Sequence, residues 1–61
     1  MRDYYAEINT PVTRIEMGLP AARSLGWCIT RLDWCWKWRK ITEAQKDELA
    51  DRILKLLEKR K

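Results

Sequence analysis

The 61-residue chain has no histidine and no phenylalanine, one serine, two glycines, two prolines and two cysteines. Without imidazole, Ser-His and Cys-His nucleophile pairs and the usual His-containing zinc sites cannot be assembled. Gly18 and Gly26 are too few and too isolated for a glycine-rich phosphate loop. Ser24 has no base near it in sequence, and the carboxylates are scattered at helix-surface spacing, with Asp33 placed to pair with Lys37. An enzyme is not expected, nor a cofactor or a metal site.

Two cysteines cannot make the disulfide framework of a small secreted domain. On one helix Cys28 and Cys35 would stand roughly 10 Å apart along the axis, beyond disulfide reach. They are expected as free thiols packing as small apolar groups. No apolar run of signal-peptide length opens the sequence, and none approaches the roughly 18 residues of a membrane span. An intracellular, cytoplasmic protein is the resulting expectation.

What is present is charge and tryptophan. The formal net charge is +4. Residues 1–30 balance three basic against three acidic groups, whereas residues 31–61 carry ten basic and six acidic. A basic excess permits contact with nucleic acid, an anionic membrane surface or an acidic protein, and a lysine-rich helical surface that keeps a small protein in solution accounts for it equally well.

The clearest element is a helix over 42–59. Thr42 and Gln45 have the spacing of a capping box, and Leu49, Ala50, Ile53, Leu56 and Leu57 share one side of the wheel. Glu48 to Arg52 and Asp51 to Lys55 are i,i+4 pairs in the favourable order. A second helix is read over 20–39, where Ala22, Leu25, Ile29, Leu32 and Trp36 recur at three- and four-residue spacing; Ser24 offers a later start. The short connection between the two implies an antiparallel helical hairpin.

Residues 1–19 are ambiguous. Thr10-Pro11 with Gly18 fits a short helix, yet Tyr4, Ala6 and Ile8, and then Ile15, Met17 and Leu19, alternate as a strand would. An extended or strand-like segment packed on the hairpin is the expectation, in one mostly α domain covering 1–61.

On the second helix Trp27, Trp34 and Trp38 lie about 180° from the Trp36 stripe, beside Arg23 and Arg31, with Lys37 nearby. A hairpin covers one face of that helix, so the other needs the N-terminal segment, a second copy or another partner. A 60-residue domain buries only about 60% of its unfolded surface, which makes a homodimer with a four-helix core an attractive solution. Arg23, Trp27, Arg31, Trp34, Lys37 and Trp38 form the expected partner-binding face, since Trp and Arg are enriched at interface hot spots. The functional expectation is a small regulatory or interaction protein, of the kind found as phage or mobile-element accessory factors. Protein is favoured as its partner over nucleic acid, and membrane is disfavoured.

In order and length, an N-terminal strand, Leu19-Pro20 and two helices resembles the ribbon-helix-helix DNA-binding dimers. That resemblance implies Arg14, Glu16 and Gly18 facing bases and Ile15, Met17 and Leu19 facing inward. A dimeric DNA-binding transcriptional regulator is therefore the second reading.

Overall fold

The computed structural model describes residues 2–59, and among these it contains three α-helices and no strand. They are α1 (Tyr4–Glu16), α2 (Leu25–Lys37) and α3 (Glu43–Lys59), each packed against the other two. Ile8 and Val12 of α1, Leu25, Cys28, Leu32 and Cys35 of α2, Ile41 before α3, and Leu49, Ile53 and Leu56 of α3 form one buried core. Both cysteines are free and fully covered, as their expected role as small apolar groups requires.

The N-terminal segment is helical, which corrects the extended or strand-like reading of residues 1–19. Asp3 caps α1 by accepting from the Ala6 backbone N–H at 3.0 Å. From there Ile8, Val12 and Ile15 follow at i, i+4 and i+7, with Tyr4 and Tyr5 packed against the same core. The period-two alternation was coincidental, and packing against two helices outweighs the presence of Pro11 inside α1. Pro11 leaves the Glu7 carbonyl without its i+4 donor, but its ring is buried. Gly18 does stop this helix: at φ 74° it lets its own N–H reach the Ile15 carbonyl and the Leu19 N–H reach that of Arg14, a Schellman closure.

The second helix is shorter than the 20–39 span. Ser24 is its N-cap, accepting from the Trp27 N–H at 3.1 Å, and Pro20 and Ala22 lie outside it. Its buried line is Leu25, Cys28, Leu32 and Cys35, rotated away from the expected stripe; Ile29 is 41% exposed and Trp36 only partly buried. A helix that shares its core with two neighbours must centre between them, and the two small cysteines admit α1 on the far side. Arg39, at φ 54°, closes α2 as Gly18 closes α1, with the Lys40 N–H on the Cys35 carbonyl at 2.7 Å. The Asp33–Lys37 pair is not formed among the ion pairs of the described residues.

Helix α3 follows its sequence reading closely. The Thr42 hydroxyl accepts from the Gln45 N–H at 3.1 Å, and the Gln45 side chain accepts from the Thr42 N–H at 3.0 Å. Leu49, Ile53 and Leu56 are buried as expected, whereas Ala50 and Leu57 are exposed. Both anticipated i,i+4 pairs form, Arg52 with Glu48 at 2.9 Å and Lys55 with Asp51 at 3.0 Å. No helix among the described residues is long and apolar enough to cross a membrane.

Candidate interaction surface

The tryptophan side of α2 is where α1 docks. Tyr4 meets Trp34 with ring centroids 6.1 Å apart, and Trp27 is partly buried against the core. The covering is incomplete: Trp34 remains 37% exposed and Trp38 60% exposed at the C-terminal end of α2. More than a third of one large aromatic surface and more than half of another thus face water in a chain with little core to spare.

Two of the expected basic residues stand over tryptophan rings, Arg31 by spacing along α2 and Arg23 from the bend that precedes its N-cap. Arg23 lies four residues before Trp27 and its guanidinium sits 4.8 Å from that ring centre. Arg31 lies three residues before Trp34 and sits 4.4 Å from it, and 6.0 Å from the Tyr4 ring. These are cation–π distances, and they leave each guanidinium partly desolvated and held in one orientation. Glu7 balances the cluster: Arg2 donates to both of its oxygens, at 2.6 and 2.7 Å, and Arg31 stands 3.8 Å away. The hydrogen bonds from Arg2 hold the Glu7 carboxyl below its ordinary value, and the charge of Arg31 acts in the same direction. Arg31 Nε is buried with no hydrogen-bond partner, so part of its guanidinium is kept dry without being satisfied.

Of the six anticipated residues, Arg31, Trp34 and Lys37 fall together on the last turns of α2 with Trp38 as its C-cap, and Lys37 and Trp38 are exposed. Arg23 and Trp27 lie at the opposite end of the helix, where Arg23 helps line a separate hollow with Ala6, Pro11 and Arg14. Tyr4 of α1 covers part of this face in cis, one of the expected ways of closing it. The structure adds residues that sequence reasoning missed: Lys40, from the connection, brings its ammonium within 5.7 Å of the Tyr4 ring. Arg39 and Lys46 stand 4.0 and 4.7 Å from the Trp36 ring centre. The i+3 spacing of Trp36 and Arg39 was legible; the Tyr4 and Lys46 contacts depend on how the helices meet.

Far from this end, α1 and α3 are joined by a polar cluster centred on Arg52. It donates to Glu16, Glu48, Asn9 and Thr13 at 2.6–3.1 Å, and the Tyr5 hydroxyl donates to Glu48 at 2.5 Å. Hydrogen bonding to Arg52 lowers the Glu16 pKa and, through Glu16 first, raises that of Arg52. Glu48 is lowered first by the Tyr5 hydroxyl and then by Arg52. This cluster is a structural clamp with all its members partnered.

Neither thiol is placed for nucleophilic chemistry, since desolvation pushes both Cys28 and Cys35 up. Among the described residues no group of three or more His, Cys, Asp or Glu could hold a metal ion. No protein-family model matches the chain, and no curated protein or solved structure matches it.

Proposed function

We propose that this chain is a non-enzymatic binding protein that docks an acidic protein surface on the α2 end formed by Arg31, Trp34, Lys37 and Trp38, with Tyr4 and Lys40 at its edge. The observation that carries the reading is the exposure of Trp38 and Trp34 beside a guanidinium already stacked and partly desolvated. A pre-ordered Arg–Trp pair loses little side-chain freedom on binding, which is why such pairs serve as anchors. Lys37, Arg39 and Lys40 have no carboxylate within ion-pairing distance among the described residues, so their field favours an acidic partner. The uncatalytic character rests on residue chemistry: Ser24 is occupied as a cap and the two thiols are buried. A regulatory or accessory role, in a phage or mobile element or elsewhere, would act through this contact, with α2 and α3 as the antiparallel hairpin that presents it.

DNA recognition is the second reading, favoured by the same cations. It loses its ribbon-helix-helix form, because the segment that would read the groove lies in α1 up to Glu16. The test uses the chain as bait in an extract of its own host, with nuclease treatment in parallel. Proteins retained by the wild type and lost with Trp38→Ala, insensitive to nuclease, support the proposal. Retention of the same proteins by Trp38→Ala, or loss of all signal on nuclease treatment, overturns it.

A further inference from the structure

The three seams between helices differ in what closes them. Arg52 and Tyr5 close α1 against α3, and Glu7, Arg31 and the Tyr4–Trp34 pair close α1 against α2. The seam between α2 and α3 has an open apolar outer side. There Ile29, Leu32, Ala50, Ile53, Leu54 and Leu57 line a hollow of about 210 Å³. Past Ile29 and Ala50 it continues into a second hollow of about 240 Å³, edged by Asp33, Trp36 and Lys46. Leu54 is 55% exposed, Ile29 41% and Leu57 40%, so the lining is apolar surface left in water.

Shape and charge restrict what can cover it. From Lys46 to Leu57 the groove runs roughly 16 Å, the length of three helical turns. Ala50, Leu54 and Leu57 stand at i, i+4 and i+7, with Ile29 facing them across the seam, which is the geometry of a helix-in-groove site. Outward of that stripe on α3 lie Glu43, Asp47, Asp51 and Glu58, and Asp33 edges the groove on α2. Against these five carboxylates stand Lys37, Lys46 and Lys55, two of which are already paired with Asp47 and Asp51. Among the described residues the rim is therefore acidic, on a chain whose total charge is +4. A second copy would bring two acidic rims together and add the repulsion of two cationic chains.

The geometry points to this groove as a docking site for an amphipathic helix of another protein, about three turns long, with leucine-type residues on one face and Lys or Arg flanking them. The site shares Lys37 at its edge with the Trp38 end of α2, but none of that end's aromatic residues lines it, and it does not depend on them. Two surfaces on opposite flanks of one helix make the chain a connector between two partners.

The probe is a fluorescently labelled 18-residue peptide of leucine and lysine with helical amphipathic spacing, and a control in which glutamate replaces every lysine. Binding is read by anisotropy against the intact chain. The Leu/Lys peptide is expected to bind and the Leu/Glu peptide to bind at least about tenfold more weakly. Leu54→Glu is expected to weaken the Leu/Lys peptide at least tenfold although it adds a negative charge, and Trp38→Ala to leave it unchanged. Leu57→Gln, a milder change at an exposed position, gives the same direction if Leu54→Glu loses helix content by circular dichroism. Equal or tighter binding to both variants would mean attraction by charge alone and overturn the proposal. So would equal binding of the two peptides, or sedimentation as a dimer that Leu54→Glu dissociates, which would give the groove to a second copy.

Discussion

Arg52 Nη2 on α3 stands 2.6 Å from Glu16 Oε1 on the last turn of α1, and the same guanidinium reaches Asn9, Thr13 and Glu48. One side chain thus holds α1 to α3 along two of its turns. Its side chain is 21% exposed and its carboxylate partners more so, which keeps each pair well below the strength of a buried one.

Replacing Arg52 by Met should lower stability by about 1–2 kcal/mol, measured by urea unfolding, because four acceptors lose a charged donor while the aliphatic stem is retained. The acid limb should change as well. Glu16 and Glu48 are held below 4.5 in the folded chain, so their contribution is complete above that value and is lost as pH falls through the lowered folded pKa values. Unfolding free energy of the wild type should therefore decline below about pH 4.5, and the Arg52→Met chain should show a shallower decline. An unchanged acid limb would show that the clamp contributes nothing to folding.

Arg39 occupies left-handed backbone at the position usually given to glycine. Arg39→Gly should be more stable than Arg39→Ala by about 1 kcal/mol in thermal unfolding, because both lose the Trp36 stacking but only alanine keeps the left-handed backbone penalty. If alanine equals glycine here, the Schellman closure of α2 does not form in solution.

Pro11 lies in the interior of α1, where proline costs about 3 kcal/mol relative to alanine, against about half as much gained from burying its ring. Pro11→Ala is expected to raise the melting temperature modestly, by a net stabilisation of about 1 kcal/mol. A fall in melting temperature would assign the ring a packing role that outweighs the missing hydrogen bond.

Arg31 carries a buried N–H with no acceptor and sits near, but not within hydrogen-bond reach of, Glu7. Arg31→Leu should leave stability unchanged or raise it by up to about 1 kcal/mol, since an orphan donor is removed and apolar contact with Trp34 kept. Under the proposed function the same change abolishes partner binding. Stability and binding measured on this one variant should move apart, and a variant that loses both would make Arg31 a folding residue.

The sequence made α3 legible almost to the residue because its signals are local. Thr42 and Gln45 satisfy each other within one turn, and Glu48–Arg52 and Asp51–Lys55 lie along one helix face. Helix α2 was legible in kind, but its burial was read toward Ile29 and Trp36, because nothing in the α2 stripe announces that α1 will share the core. Helix α1 was misread since the alternations of Tyr4, Ala6 and Ile8 and of Ile15, Met17 and Leu19 mimic an extended segment and Thr10-Pro11 suggested a later helix start, while the Asp3 cap and the i, i+4, i+7 set of Ile8, Val12 and Ile15 carried the correct pattern. In the interaction surface, Arg31–Trp34 follows from spacing on one helix, whereas Arg23 reaches Trp27 from the bend before α2. Tyr4, Lys40 and Lys46 join aromatic rings only through tertiary packing, which no short window encodes.

Cys28 and Cys35 lie wholly covered in the core that α1 completes, with their protons held more tightly than in water. Sealing of this kind turns the two sulfurs into reporters of breathing. A thiol reagent meets them only in molecules where the three-helix core has opened, so the rate of labelling counts how often the helices part.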